Sequence, residues 1–184
     1  MHPTGLTQII LAGLLGEGEF LNVNGKLSFR LPFNEEMLDY IRAIVGKGME
    51  RKLVLNRSEL IIEEETDQFK LLYSEWYEGD KKIYSSKQID FHSIILWANI
   101  YGKRMTNGIA IRTTINKEHK KNLIFSLFSH LNTPVVLSTV GVKLMITEDL
   151  YRSVRKRTNI LHSTFFSNLI DKKHLQYQKY RVTI

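Results

Sequence analysis

Three groups of residues have types and spacing that can do chemistry. The first is a carboxylate, Glu17, set between Gly16 and Gly18 at the end of an apolar, glycine-rich stretch. An acid there can ligate a divalent cation or simply face solvent. Glu19, two residues on, reads as a surface residue at the start of a strand. The second group has period two: Asn22, Asn24, Lys26, Ser28 and Arg30 alternate with apolar residues. Amides and arginines can bond base edges in pairs, and lysines contact phosphates. The same set also makes an ordinary solvated sheet face. The third group is basic. Arg152, Arg155, Lys156 and Arg157 form one run, and Lys172, Lys173, Lys179 and Arg181 form another with Tyr177 and Tyr180. Cations at a helix C-terminus complement its dipole, and basic, aromatic tails can track RNA. The histidines at 2, 92, 119, 130, 162 and 174 have neither metal-ligand nor catalytic spacing. No phosphate-binding loop, dinucleotide fingerprint or nucleophile elbow occurs.

The charge is uneven. Residues 1–90 hold 11 Lys/Arg against 15 Asp/Glu, a net of −4; residues 91–184 hold 15 against 4, a net of +11. A basic second half suits a polyanionic partner, because each phosphate contact releases condensed counterions. There is no cysteine, which excludes disulfides and thiolate zinc sites. No apolar run approaches the ~20 residues of a membrane span, and Met1-His2-Pro3-Thr4 does not begin like a signal peptide. A reducing interior or an organelle matrix, such as that of the mitochondrion, is the expected compartment.

The elements that must position these groups come in two copies. Leu6–Gly16 is apolar on nearly every face and reads as a buried helix. Alternation through Leu21–Leu31 around Asn24-Gly25 predicts a hairpin. Asn34 then caps a helix with Glu35 and Glu36 in its first turn, Arg51–Asn56 and Glu59–Glu63 pair as strands, and Asp67–Tyr77 makes a further helix. The second half repeats the order. Asp90 caps an apolar helix ending near Gly102, and a hairpin turns at Asn107-Gly108. Asn116 caps a helix, Pro134–Thr139 and Val142–Ile146 pair, and Thr147 caps Glu148–Arg157. Arg30 and Asn34 recur as Arg112 and Asn116 with the same shift of 82 residues. This predicts an α+β chain of two pseudo-symmetric αββαββα lobes, residues 1–78 and 90–170, joined by a linker at 79–89 and followed by a basic tail at 171–184.

Ile10-Leu11-Ala12-Gly13-Leu14-Leu15-Gly16-Glu17-Gly18-Glu19-Phe20 resembles the motif of the LAGLIDADG homing endonucleases and maturases, one residue shorter than its commoner form. Phe69-Lys70-Leu71-Leu72-Tyr73-Ser74-Glu75-Trp76-Tyr77-Glu78-Gly79-Asp80-Lys81-Lys82-Ile83 is similar to the segment that precedes the second motif in one branch of that family, and Ile94–Lys103 to the motif itself. The likeness runs over residues 6 to 165. It implies two motif helices packed along an internal axis, antiparallel saddle-shaped sheets with helices behind them, and paired acids that hold divalent metal over the scissile phosphates. Glu17 would be one such acid. The outer sheet face would lie in the major groove, with Asn22, Asn24, Lys26, Ser28 and Arg30 in the first lobe as contacts. Lys103, Arg104, Arg112 and Lys143 would join them in the second, and Arg152, Arg155, Lys156 and Arg157 can grip phosphates.

The second motif departs from the pattern. Tyr101-Gly102 stands where the family has an acid and glycine, and the nearby Asn99 carries no charge. Tyrosine is neutral near pH 7 and a poor magnesium ligand. The expectation is therefore a monomeric pseudo-dimer that binds nucleic acid without cutting both strands. Structured RNA is favoured, as for a maturase or a ribosome-associated protein, and no cofactor is needed for binding. The alternative is a site-specific DNA endonuclease or nickase working from Glu17 and Mg2+.

Overall fold

The computed structural model describes residues 5–23, 26–46, 53–63 and 67–170. The first series of elements is α1 (Leu6–Leu15), β1 (Glu19–Val23), β2 (Lys26–Pro32), α2 (Leu38–Val45), β3 (Leu53–Leu55), β4 (Glu59–Ile62) and α3 (Asp67–Trp76). A small hairpin of β5 (Tyr77–Glu78) and β6 (Lys81–Lys82) follows. The second series is α4 (Phe91–Tyr101), β7 (Gly102–Met105), β8 (Gly108–Arg112), α5 (Lys120–Leu131), β9 (Val135–Ser138), β10 (Gly141–Met145) and α6 (Glu148–Arg157). The sheets share one antiparallel topology, β1-β2-β4-β3 and β7-β8-β10-β9. The αββαββα order expected from the repeat is thus the order observed. A seventh helix, α7 (Ile160–Asn168), was not foreseen; Asn159 caps it by accepting from His162 N at 2.9 Å.

Local chemistry accounts for most boundaries. Asp90 and Ser93 form a reciprocal capping box on α4, with Ser93 N donating to Asp90 Oδ1 at 2.7 Å. Thr147 accepts from Leu150 N at 3.2 Å at the start of α6. In each lobe the middle helix opens with a 3-10 turn, Glu35–Met37 and Lys117–His119. Asn116 caps its turn by accepting from Glu118 N, whereas Asn34 makes no side-chain cap. Both hairpins bring together residues three apart, Val23 with Lys26 and Met105 with Gly108. The Asn24-Gly25 turn itself lies outside the described residues.

The 82-residue shift is not rigid across the sheets. Arg30 lies opposite Ile61, so a strict shift would set Arg112 opposite Lys143; it lies opposite Gly141 instead. The β9–β10 pair keeps the register of β3–β4, so the slip of two residues lies between β8 and β10.

The core is centred on α1 and α4, which are buried along most of their lengths and pack against each other. Gln8 Nε2 ties their starts together by donating to Asp90 Oδ2 at 2.9 Å. Close packing behind α1 depends on Gly13: a Cβ there would stand 2.5 Å from Leu31 Cδ1 and 2.7 Å from Phe29 Cζ. Gly13→Ala is expected to cost about 1–3 kcal/mol by overpacking, seen as a fall of several degrees in the thermal midpoint.

Candidate functional site

The end of α1 folds tightly back on itself. Gly18 N donates to Gly13 O at 2.8 Å, and a Cβ on Gly18 would meet the Gly13 backbone and the Phe29 ring. The turn leaves Glu17 partly exposed, with Oε1 at 3.3 Å from Arg112 Nη1. Arg112 ends β8, so this ion pair joins the two lobes.

A second cation reaches the same turn. Lys82 Nζ, on the inter-lobe hairpin, donates to Gly16 O at 2.9 Å, to Gly18 O at 2.8 Å and to Thr114 Oγ1 at 3.0 Å. Gly16 O also accepts from Thr114 N at 3.1 Å and Thr114 Oγ1 at 3.0 Å. Burial pushes Lys82 down to about 7, against the pull of Glu19 and Glu17, which favour its charged form. Neither Lys82 nor Thr114 stood out as a site residue. The Gly79-Asp80-Lys81-Lys82 run was the available signal for the first; nothing local marks the second.

Tyr101 faces this turn from α4. It is 2% exposed, its hydroxyl donates to Pro32 O at 2.9 Å, and its ring fills the space that a Cβ on Gly16 would need. Burial raises the phenol pKa, and Glu17 raises it further, so the group is a neutral donor. The two motif ends therefore meet as expected, but as a carboxylate paired with a guanidinium beside a plugged aromatic ring.

The resemblance implies a divalent metal pair at this junction, and the donor set does not fit one. One carboxylate is engaged by Arg112, the nearest carbonyls face an ammonium, and the second acid position holds a buried phenol. Among the described residues no cluster of three or more His, Asp or Glu side chains could hold a metal. A two-metal displacement needs carboxylates to gather its ions.

Asn99 does not belong to this junction, which corrects its expected place. It lies two residues before Tyr101, and about 100° per residue around a helix turns it to nearly the opposite face. There Asn99 Nδ2 donates to Tyr40 OH at 2.8 Å and to His162 O at 3.1 Å, and Tyr40 OH is 2.9 Å from His162 Nδ1. Asn99 is 4% exposed and His162 likewise. The cluster locks α2, α4 and α7 together.

The polar hairpin set is also redistributed. Opposed residues of an antiparallel pair point to one side. Asn22 lies opposite Leu27, whereas Ser28 lies opposite Leu21 and Arg30 opposite Glu19. A two-residue turn pairs even positions with odd ones, so Asn22 is on the helix side while Lys26, Ser28 and Arg30 are on the outer face. Asn24 lies outside the described residues. On the second sheet Lys103, Arg112 and Lys143 share the outer face, and Arg104, opposite the buried Ile109, points the other way. A depression of about 600 Å³ between the lobes is lined by Asn34, Glu36, Tyr101, Lys103, Ala110 and Arg112.

The basic run of α6 lies elsewhere. The Arg157 guanidinium sits 3.9 Å over the Phe91 ring, its carbonyl meets His92 Nε2 at 2.9 Å, and Arg152 bonds Glu148 at 2.6 Å. Arg155 stands 5.9 Å over the Tyr151 ring, and Lys156 is exposed. Phe91 and His92 begin α4 and Tyr101 ends it, so about 15 Å of helix separates this run from the junction. Residues 171–184, including Lys172, Lys173, Lys179, Arg181, Tyr177 and Tyr180, lie outside the described residues.

No family model matches the sequence, and no curated protein sequence does either. Among solved structures, the chain is similar to the homing endonuclease I-WcaI, in the structure of that enzyme bound to its DNA recognition sequence. The TM-score is 0.60 at 16% identity, over 96% of this chain and 87% of that one. At this identity the likeness is one of fold.

Proposed function

We propose that this chain, which has the two-lobed fold of the LAGLIDADG homing endonucleases, is a nucleic-acid-binding protein that does not cut both strands, and that its ligand is structured RNA. The observation that carries the reading is the junction itself: Glu17 is paired with Arg112, and Tyr101 plugs the place of the second acid. The carboxylate pair needed for double-strand cleavage is absent at this junction. The net +11 of residues 91–184 supplies the attraction for a polyanion. Its confinement to one half suits a one-sided phosphate path better than two symmetric DNA half-sites. A maturase-like or ribosome-associated role would use such binding. DNA nicking is the second reading, favoured by Glu17, which keeps 30% side-chain exposure at a helix end.

The test uses the full chain with labelled RNA stem-loops, mixed-sequence duplex DNA and supercoiled plasmid, with Mg2+ or with a chelator. Salt-dependent RNA binding that is unchanged by chelation, with no linear plasmid, is the expected result. Linear product would overturn it, and nicking abolished by Glu17→Gln would establish the second reading instead.

A further inference from the structure

The outer faces of the two sheets differ in charge once their ladder rows are followed. Phe29, Leu31, Leu60 and Ile62 point into the core of the first lobe, as Ile109, Ile111, Val142 and Leu144 do in the second. Residues of opposite parity on those strands therefore face outward. In the first sheet one outward row runs Glu19–Arg30–Ile61–Val54, the next Leu21–Ser28, and Lys26 follows beside the turn, so Lys26 and Arg30 stand against Glu19 and Glu59. Arg30 stands 3.2 Å from Glu19 and 4.0 Å from Glu59, so its charge is met by two carboxylates of its own sheet.

The corresponding rows of the second sheet are Arg112–Gly141–Ser138 and Lys103–Ala110–Lys143–Val136. Neither row contains a carboxylate of its own sheet, and Arg112 alone is engaged from outside it, by Glu17. Lys103 and Lys143 have no ion-pair partner among the described residues. Lys103 and Lys143 flank Ala110 across two strand spacings, about 10 Å, and Arg112 stands two residues along the strand, about 7 Å away. Ala110 is small and 9% exposed, so the floor between these cations is flat enough for a sugar-phosphate backbone to approach.

We infer that the outer face of the second sheet, through Lys103 and Lys143, grips the phosphate backbone, and that the outer face of the first sheet does not: one lobe holds the nucleic acid. The inference rests on the nucleic-acid-binding reading above and says where and how unevenly the binding is distributed. Phosphates contacting the second sheet release counterions, whereas on the first they would have to displace Glu19 and Glu59 from Arg30.

Two double variants separate the faces: Lys103→Gln with Lys143→Gln, and Lys26→Gln with Arg30→Gln. Arg112 is left intact because it holds Glu17. Binding to a labelled RNA stem-loop and to a labelled mixed-sequence duplex DNA is followed by anisotropy over a range of salt. The slope of log Kobs against log salt is expected to become shallower by about 0.7–0.9 per lost contact, so by roughly 1.4–1.8 for the second-sheet pair and not measurably for the first-sheet pair. Lys103→Arg with Lys143→Arg should keep the wild-type slope. An equal loss from both Gln pairs, or none from either while the wild type binds, overturns the inference alone. A wild-type protein that binds neither probe overturns the underlying reading, and this inference with it.

Discussion

Tyr101→Asp, the change that restores an acid at the end of the second motif helix, is expected to destabilise the protein by about 3–5 kcal/mol and to yield no cleavage. The magnitude is that of deleting a large buried aromatic group. The ring fills the space beside Gly16, and at 2% exposure a carboxylate in its place would be desolvated. It would also stand near Glu17, which already disfavours negative charge there. At about 2–4 °C per kcal/mol for a chain of this size, the thermal midpoint should fall by roughly 6–20 °C. Tyr101→Phe keeps the ring and loses the hydroxyl's bond to Pro32 O, so it should cost about 0.5–1.5 kcal/mol. Thermal unfolding of both variants checks this, with plasmid cleavage in Mg2+ as the functional readout. A Tyr101→Asp protein as stable as the wild type would show that the ring is not a structural plug.

Acid should weaken the fold through His162. Burial lowers this imidazole to about 4, and His92 adds to the effect. The neutral ring shares a hydrogen bond with Tyr40 OH through Nδ1, while Tyr40 OH accepts from Asn99. As pH falls through the unfolded value near 6.5, the unfolded chain takes up a proton that the folded chain refuses. Stability is therefore lost progressively from about pH 6.5 down to about pH 4, by an amount on the order of 3 kcal/mol. Carboxylates that titrate over the same range affect every variant alike, so the informative quantity is a difference. Between pH 7.5 and 4.5 in urea unfolding, the wild type should lose about 2–3 kcal/mol more than His162→Gln. Parallel losses in the two proteins would remove His162 from the account.

Elements set by local patterns were legible in the sequence. Alternation around Asn24-Gly25 located the first hairpin and Asn107-Gly108 the second, which turns one residue earlier than expected, at Thr106-Asn107, because Gly108 already pairs with Met105; Asp90 and Thr147 cap the helices assigned to them. The face of Asn22 is also readable, because a two-residue turn sets Asn22 opposite Leu27 and so reverses the alternation between β1 and β2. The polar cluster was not readable. Asn99 and His162 lie 59 and 122 residues from Tyr40, and the types of all three are equally at home on a surface. Lys82 joins the site only because the β5–β6 hairpin brings it beneath the end of α1. The missing acid at Tyr101 was plain in the sequence; that the ring occupies the space left by Gly16 depends on how closely α1 and α4 approach.

The slip between β8 and β10 bears on how such a surface can evolve. A displacement of two residues leaves every inward side chain facing inward, so the core is unaffected in kind. Outside, it moves an entire strand pair by one row, about 7 Å. In the first sheet the position opposite Ser28 falls just beyond β4, at Glu63; in the second, Lys143 stands opposite Ala110. Charge on the exposed side can thus be rearranged wholesale, rather than one substitution at a time, while the selection that maintains folding stays nearly blind to the change. Duplicated sheets of this kind can drift apart in what they recognise long before they differ in how they fold.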